Sequence, residues 1–281
     1  MVASHLSVGT RTYDIAERAL LMGILNRTPD SFYDQGATFE LDALIRRAEE
    51  LVSAGADLLD VGGVKAGPGP EVTEQEELDR VVPAITALCQ RFDVPVSVDT
   101  WRASVAKESY SAGALVGNDI SGFADPDYLT VAAAAGATVV ATHIRIAPRV
   151  PDPEPVYDDV VTAVAYFLAE RADRARSAGI PAERVVLDAG LDLGKTAEQS
   201  LALLRASDRL AGLGYPLLLS ASNKTFLGVI CDLPIDQRRD ASLAAAALGV
   251  ALGCRVLRVH DVAAHRQVRD VVEAILRADR G

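Results

Sequence analysis

Eight short apolar runs recur along the chain, and each is followed by a segment with helical periodicity. The runs occupy residues 20–26, 57–61, 96–99, 115–119, 138–143, 185–188, 216–220 and 256–260. They are continuously hydrophobic instead of alternating, which is typical of parallel strands covered on both faces. Eight strand–helix alternations without a linker or a break in composition predict one (β/α)₈ barrel domain over residues 1–281.

The segments between the runs carry the signals of helices. Apolar residues recur at helical spacing over residues 41–52, 78–88 and 268–276. Thr73-x-x-Glu76 is a capping-box pattern at the start of the second of these segments. Glycines stand where helices are expected to end in a left-handed cap, at Gly55, Gly113, Gly136 and Gly179. The alternative is a doubly wound open sheet, but residues 26–30 lack the glycine-rich dinucleotide turn that it would require.

The charge and the cysteines restrict the class of function. The net charge is −11 and the isoelectric point is about 4.9, which disfavours nucleic-acid and anionic-membrane partners. A small anionic ligand remains open, because helix N-termini and a few local cations override the global field. The three cysteines are isolated, the first residues resemble no signal peptide, and the apolar run 19–25 is too short for a bilayer. These features predict a cytoplasmic protein with reduced thiols.

Polar residues follow every one of the eight predicted strands, and in a parallel barrel such ends meet at one rim. Any one of them is equally well explained as a helix cap or a turn residue. A polar group at all eight ends is better explained by a small-molecule site. These residues are Asn26, Asp60, Asp99, Asn118, Asp119, His143, Asp188, Ser220 with Ser222 and Lys224, and Arg258 with His260.

The types of these residues indicate a ligand with two parts. Carboxylate, amide and ammonium groups suit a flat heterocycle rich in amide and amino groups, and Asp99, Asn118, Asp188 and Lys224 supply them. An amide oxygen and two cationic side chains suit a diphosphate bound to Mg²⁺, with Asn26 as the metal ligand and with Arg258 and His260 on the phosphates. His260 as a core histidine is the alternative to that last role.

Five segments resemble the dihydropteroate synthase family, in the order in which that family has them. The opening Met-Gly-Ile-Leu-Asn-Arg-Thr-Pro-Asp-Ser-Phe of residues 22–32 is the most specific, together with the closing Arg-Val-His-Asp-Val of residues 258–262. Between them lie Val-Ser-Val-Asp-Thr at 96–100, Gly-Asn-Asp-Ile-Ser-Gly at 117–122 and Asp-Ala-Gly at 188–190. The resemblance extends over nearly the whole chain.

The resemblance implies a (β/α)₈ barrel that joins 6-hydroxymethyl-dihydropterin diphosphate to p-aminobenzoate, releases diphosphate and serves folate biosynthesis. By the same resemblance, Mg²⁺ assists the reaction and the protein is a homodimer. The apolar segment 241–252 fits a homodimer contact, and it fits inner barrel packing equally well. The implied pterin ligands are Asp99, Asn118, Asp188 and Lys224; the implied diphosphate ligands are Asn26, Arg258 and His260, with Lys224, Arg258 and His260 as the catalytic set. The loops after the first two strands would close on the acceptor and contain Asp30, Phe32, Asp34 and Lys65.

The acceptor half of the site departs from the family pattern. After the second strand the family usually has Gly-Gly-Glu-Ser-Thr-Arg-Pro-Gly, whereas residues 62–69 read Gly-Gly-Val-Lys-Ala-Gly-Pro-Gly. An arginine is also replaced by Asn223, and Asp192 stands where a glycine is customary. We expect the added carboxylate of Asp192 to face solvent or to pair with a cation. Lys65 restores a charge to the loop, but without the planar fork of an arginine.

Four functions are compatible with these observations. The first is a synthase with an adapted loop, and the second is a paralogue that binds a pterin without making dihydropteroate. The third is a methyltransferase that uses a methyl-pterin, disfavoured by the Arg258 and His260 pair. The fourth is a Schiff-base aldolase that uses Lys224, disfavoured because this lysine lies in a loop after the seventh strand.

Overall fold

The computed structural model describes residues 3–27 and 40–278 and contains a closed parallel barrel. Two strands of an N-terminal hairpin, β1 and β2, precede the barrel, and β3 to β10 form it in the order β10-β3-β4-β5-β6-β7-β8-β9. The strands are β1 (His5–Val8), β2 (Arg11–Asp14), β3 (Leu20–Asn26), β4 (Leu58–Gly62), β5 (Val96–Asp99), β6 (Val116–Asp119), β7 (Thr138–Thr142), β8 (Val185–Asp188), β9 (Leu217–Leu219) and β10 (Cys254–Val259). The predicted (β/α)₈ barrel is confirmed.

Helices connect the barrel strands and surround them. They are α1 (Leu41–Ala54), α2 (Glu74–Arg91), α3 (Ala103–Ser111), α4 (Tyr128–Ala134), α5 (Val160–Ser177), α6 (Ala197–Arg205), α7 (Ser207–Ala211), α8 (Thr225–Cys231), α9 (Arg239–Ala251) and α10 (Val262–Ala278). Short 3₁₀ turns occur at Ala182–Arg184 and Ile235–Gln237. None of the helices in the described ranges is long and apolar enough to cross a membrane.

The predicted helix boundaries have the physical origin that the sequence indicated. Thr73 caps α2, because its hydroxyl accepts the backbone N–H of Glu76 at 3.2 Å while the Glu76 carboxylate accepts the N–H of Thr73 at 2.8 Å. Gly55 ends α1 with a φ of 101°, a conformation that costs a side-chain-bearing residue free energy. The barrel strands agree with the predicted runs to within two residues at each end.

Successive residues of the strands serve two apolar layers. In β3, Leu21 and Leu25 pack in the layer between the barrel and the helices, whereas Leu20 and Met22 face the barrel interior. This division follows from the two-residue period of a strand. It explains why the strands read as continuous apolar runs: both of their faces are buried.

The hairpin β1–β2 closes the amino-terminal end of the barrel and was not predicted. Leu6 and Val8 are buried with the interior cluster, while the residues of β2 remain largely exposed. The hydroxyl of Thr138, at the start of β7, donates to the carbonyl of Ser7 at 2.5 Å. Two four-residue strands with a single buried face give a much weaker pattern than the barrel strands. The opposite, carboxyl end of the barrel is left for the site.

Candidate active site

The register of the barrel brings the predicted site residues next to one another. Asn26 is paired with Gly62 across β3 and β4, Gly62 with Asp99 across β4 and β5, and Asp99 with Asn118 across β5 and β6. All of these residues lie at the carboxyl ends of their strands. Three side chains that lie far apart in the sequence therefore line one arc of the rim.

Gly62 allows Asn26 and Asp99 to approach each other. A Cβ atom on Gly62 would lie 3.4 Å from Asn26 Oδ1 and 3.6 Å from Asp99 Oδ2. The two oxygens thus share the space above a residue without a side chain. A larger residue at this position would push one of the two polar groups aside.

Asp60 connects the pterin-type residues into one hydrogen-bond network, although the sequence identified it only as a strand-end residue. Its Oδ2 atom accepts from Arg258 Nε at 2.7 Å and from Asn118 Nδ2 at 3.1 Å. A terminal guanidinium nitrogen of Arg258 also donates to Asp99 Oδ2 at 2.8 Å. The Asp60 side chain is completely buried, and its other oxygen, Oδ1, has no hydrogen-bond partner within the described part of the chain. The position of Asp60 at the end of a predicted strand was the signal in the sequence that pointed to this residue.

Burial and charge act in opposite directions on Asp99, which lies at one end of this network. Burial raises the pKa of Asp99 above its usual 3.8, while the Arg258 guanidinium works to lower it. Arg258 is itself placed so that two carboxylates stabilise its charge. The guanidinium of Arg258 therefore pairs with Asp60 and Asp99 while it lies at the rim.

Asp188 and Lys224 form the second arc of the rim. Asp188 Oδ1 accepts the N–H of Gly190 at 2.8 Å, and Lys224 Nζ donates to the carbonyl of Leu191. Burial raises the pKa of Asp188 and lowers that of Lys224, and the opposite charge of each partner counteracts the shift. The turn after β8 thus holds both a carboxylate acceptor, Asp188, and an ammonium donor, Lys224.

Asp192 is partly exposed and its charge acts to raise the pKa of Lys224, as expected, and its carboxylate also accepts backbone N–H groups. Oδ2 accepts from Thr225 N at 2.5 Å, and Oδ1 accepts from Phe226 N at 3.2 Å. Asp192 adopts a left-handed backbone with a φ of 67°. It fixes the entry of α8 and therefore the neighbouring Lys224, since negative charge is favoured at a helix start.

His260 lies at the end of β10 and is held by Ser222. The Ser222 hydroxyl oxygen accepts the backbone N–H of His260 at 3.3 Å and lies 2.9 Å from the ring Nδ1. The carbonyl of His260 accepts from Arg47 at 2.7 Å. The ring is therefore anchored at one nitrogen and is partly exposed at the rim.

A buried lysine that the sequence did not single out fixes the turns after β7 and β8. Lys195 Nζ donates to the carbonyls of Gly190 and Leu193 at 2.8 and 2.9 Å and lies 2.9 Å from His143 Nδ1. Burial lowers the pKa of His143 to about 3 and that of Lys195 to about 7. His143 is therefore neutral at neutral pH, and its strand-end position serves this packing.

The altered loop after β4 is held by an arginine from the loop after β7. Arg149 donates from its guanidinium to the carbonyls of Lys65, at 3.0 Å, and of Pro70, and its N–H donates to Ala66 at 3.1 Å. Val64, which stands where the family usually has glutamate, is buried. The predicted acceptor residues Asp30, Phe32 and Asp34 lie outside the described residues.

The chain is similar to known proteins over nearly its whole length. The family described as pterin binding enzyme matches residues 22–260. A dihydropteroate synthase of Synechocystis sp. is 41% identical over 97% of this chain and 95% of its own length. The chain belongs to the dihydropteroate synthase family. A Yersinia pestis dihydropteroate synthase, solved in a sulfonamide drug complex, superposes with a TM-score of 0.93 at 40% identity, covering 98% of this chain and 99% of that one.

The family also contains a relative whose name records a loss of activity. The inactive dihydropteroate synthase 2 of Mycobacterium tuberculosis is 45% identical over 92% of this chain and 83% of its own length. The family alone therefore does not separate a working enzyme from a paralogue that has lost the reaction. The separation must come from the residues of the site.

Proposed function

We propose that this protein is a dihydropteroate synthase-type transferase. It binds 6-hydroxymethyl-dihydropterin diphosphate, transfers the pterin-methyl group to p-aminobenzoate and releases diphosphate. The observation that carries the proposal is the network in which Asp60 joins Arg258 and Asn118 while Arg258 also binds Asp99. This network holds donors and acceptors for a flat ring in one fixed arrangement.

Each side of the pterin has a partner in this arrangement. The Asp99 and Asp188 carboxylates accept from ring N–H and amino groups, the Asn118 amide both donates and accepts, and Lys224 donates to the ring carbonyl. The groups are held by neighbouring backbone and side chains before the ligand arrives, so binding orders few side chains. Such preorganisation supplies the greater part of many enzymes' acceleration.

The diphosphate is assigned to Asn26, Arg258 and His260. Carbon–oxygen bond cleavage leaves negative charge on the departing diphosphate and positive charge on the pterin methyl group. Arg258 and His260 donate to the phosphate oxygens, and the Asp60 and Asp99 carboxylates keep Arg258 charged throughout. The amine of p-aminobenzoate then attacks the pterin methyl carbon and loses a proton.

Mg²⁺ fits this donor set. Asn26 Oδ1 is a hard oxygen ligand at the rim, beside Asp99, and Mg²⁺ commonly uses one or two protein oxygens together with substrate phosphates. When bound there, the ion would neutralise charge that develops on the diphosphate. We propose that the protein acts in the cytoplasm as a homodimer.

An assay of diphosphate release with pterin diphosphate, Mg²⁺ and p-aminobenzoate tests the proposal. Release that depends on both substrates is the expected result, and release no faster than in buffer would exclude a working synthase. The second candidate is a paralogue that binds pterin without turnover, favoured by the loss of the polar loop residues at 64–67. Calorimetric binding of pterin diphosphate without turnover would select it, whereas absence of binding would exclude both functions.

A further inference from the structure

Lys195 is a buried cation directly after the turn that follows β8, and it is only 7% exposed. Its Nζ atom donates to the carbonyl of Gly190 at 2.8 Å and to the carbonyl of Leu193 at 2.9 Å. The ring Nδ1 of His143 lies 2.9 Å from Nζ and accepts the third N–H, because this imidazole is neutral at neutral pH. An ammonium group has three N–H donors, so these acceptors use all of them. Lys195 thus joins the turn after β8 to the end of β7.

The turn after β8 lies directly against the end of β7. Gly190 has a φ of 64°, and a Cβ atom on it would lie 1.9 Å from the carbonyl oxygen of His143. In the same contact, the N–H of His143 donates to the carbonyl of Asp188 at 3.0 Å. Gly190 and His143 are both buried. The buried carbonyls of the turn therefore need a donor from the protein, and Lys195 supplies it.

The two residues between the carbonyls that Lys195 binds hold Lys224 in place. The carbonyl of Leu191 accepts from Nζ of Lys224. The carboxylate of Asp192 accepts the N–H of Phe226 in the first turn of α8, which begins directly after Lys224. The segment that positions Lys224 is therefore fixed at both of its ends by one buried ammonium group.

Asp188 depends on the same turn. Its Oδ1 atom accepts the N–H of Gly190 at 2.8 Å, and the carbonyl of Gly190 accepts from Lys195. Gly190 thus connects the carboxylate of Asp188 to the ammonium group of Lys195. A displacement of this glycine would move Asp188 and, through the adjoining Leu191, the donor Lys224.

Loss of the ammonium group would change the conformation of the turn. The carbonyl of Gly190 has a second partner, the N–H of Leu193 at 3.0 Å, but the carbonyl of Leu193 would lose the donor that Lys195 provides. A buried acceptor that loses its partner is unfavourable by the free energy of its lost hydration. The turn restores a hydrogen bond to this carbonyl by exposing it to water, and that movement would carry Leu191 and Asp192 away from α8.

We propose that Lys195 is a positioning residue of the transferase. Without touching the ligand, it holds the turn after β8 in the conformation in which Asp188 and Lys224 bind the pterin. The consequence for ligand binding rests on the proposed function, whereas the effect on the turn does not. A lysine that only stabilised the barrel would lower the free energy of unfolding when replaced and would leave the affinity of the folded protein unchanged.

The first measurement follows the turn by hydrogen exchange of backbone N–H groups, resolved by NMR. Lys195→Met keeps most of the length and the apolar stem of the side chain but removes its donors. The N–H groups of Thr225 and Phe226 donate to Asp192, and we expect them to exchange at least tenfold faster in this variant. Unchanged exchange at these two groups would overturn the inference, whatever the protein binds.

Arg269→Met is the matched control. Arg269 is 3% exposed, and its guanidinium donates to the carbonyl of Ala19, directly before β3 at the opposite end of the barrel, at 3.1 Å. This variant also removes a buried cation that binds a carbonyl, so it should lower the free energy of unfolding as well. It should leave exchange at Thr225 and Phe226 unchanged. Equal acceleration in both variants would show that general destabilisation is the cause and would overturn the inference.

The second measurement is calorimetric binding of pterin diphosphate at a temperature at which all variants are folded. Lys195→Met should weaken binding at least tenfold, and Arg269→Met should leave it unchanged. In a Lys224→Met background the Lys195 substitution should weaken binding by a smaller factor, because one of the groups that it positions is absent. An equal loss in both backgrounds would show that Lys195 does not act through Lys224 and would overturn the inference.

The two measurements distinguish a failure of the inference from a failure of the proposed function. If the unsubstituted protein binds no pterin diphosphate, the proposed function is refuted, and faster exchange at Thr225 and Phe226 in Lys195→Met alone still supports the positioning of α8. If the unsubstituted protein binds the ligand and Lys195→Met binds it equally well, the positioning role is overturned and the proposed function stands.

Discussion

Asp60 is the buried residue that joins Arg258 to Asn118 in the site. It accepts hydrogen bonds from Arg258 and Asn118 and is completely buried. Removing one partner of a buried ion pair leaves an uncompensated charge, which costs about 3–5 kcal/mol. Asp60→Asn keeps the shape of the side chain but removes its charge, so the remaining Asp99 must balance Arg258 alone.

We expect Asp60→Asn to weaken calorimetric binding of pterin diphosphate at least tenfold, or about 1.4 kcal/mol, and to lower the denaturant-measured free energy of unfolding by about 3 kcal/mol. Asp93→Asn is the matched control, since Asp93 forms an exposed ion pair with Arg11 at the surface. An Asp60→Asn protein with unchanged affinity would show that the network does not position the pterin ligands.

The pKa of Asp99 gives the site a pH dependence with a defined sign. Burial raises this pKa above 3.8, so the folded protein holds a proton at Asp99 more tightly than the unfolded chain does. The resulting contribution to stability is present below pH 3.8 and is lost as the pH rises through the raised pKa. Pterin binding uses the charged carboxylate of Asp99, so the affinity for the pterin should rise as the pH rises.

The expected result is that affinity for pterin diphosphate falls as the pH is lowered, with a midpoint above 3.8. Asp99→Asn should weaken binding and remove this part of the pH dependence, and its unfolding free energy should vary less with pH. Calorimetry and denaturant titrations at a series of pH values provide both measurements. If the unsubstituted protein and Asp99→Asn bound pterin diphosphate with the same pH dependence, Asp99 would not be the group that titrates.

The sequence indicated which strand-end residues would be neighbours, but it did not indicate their contacts. Because strand ends in a parallel barrel meet at one rim, Asn26, Asp99 and Asn118 could be grouped without coordinates. The hydrogen bonds of Asp60 and Lys195 could not, since they join strands and turns far apart in the sequence. The position of a residue at a strand end does not say whether its side chain joins neighbouring strands, as Asp60 does through Arg258 and Asn118. It could equally stabilise a turn, as Asp119 does through the N–H groups of Ser121 and Phe123.

At the scale of elements, the turn after β8 and the helix α8 form one unit. Asp192 accepts from the first N–H groups of α8, and Lys224, directly before that helix, donates to Leu191. Sequence comparison alone placed a carboxylate near the pterin and predicted a solvent-facing or paired role. The structure adds a further role, since the N–H groups at a helix start need an acceptor.

Two replacements of Asp192 separate the cap from the backbone conformation. Loss of a capping side chain costs about 1 kcal/mol, and a left-handed alanine costs about 1–2 kcal/mol more. We therefore expect Asp192→Ala to lower the free energy of unfolding by about 1 kcal/mol more than Asp192→Gly does, because glycine adopts a φ of 67° without a steric penalty.

Denaturant titrations of both variants measure this difference. The affinity for pterin diphosphate should fall in both variants, because Asp192 positions Lys224. If Asp192→Gly had the stability and affinity of the unsubstituted protein, the cap would contribute nothing. Asp192→Asn serves as the control, because asparagine tolerates the left-handed region and retains an acceptor oxygen.

The barrel strands were predicted well and the hairpin was not, for the same physical reason. A strand buried on both faces must be apolar at every position, so β3 and β8 are visible in the sequence as continuous runs. In β1 only Leu6 and Val8 are buried, and their alternation with polar residues over four positions is too short to predict a strand. The fold was therefore predicted from its most buried elements.

At the scale of the whole molecule, the exposed apolar residues of α9 and α10 support the expected homodimer. α10 packs against α9, and its Val271 and Ile275 are 60% and 61% exposed four residues apart on one helix. Leu248 of α9, within the apolar segment 241–252, is also exposed. Large apolar side chains grouped on neighbouring helices are typical of a surface that is covered in the assembly.

Sedimentation velocity should therefore give about twice the chain mass of 29.7 kDa. The double substitution Val271→Asp with Ile275→Asp places two like charges where the partner would exclude water, so the mass should fall to that of one chain. Tyr166→Asp, which changes a still more exposed residue on α5, should leave the dimer intact. A single-chain mass for the unsubstituted protein at micromolar concentration would refute the homodimer. A dimer that survives the double substitution would place the contact on a different face of the barrel.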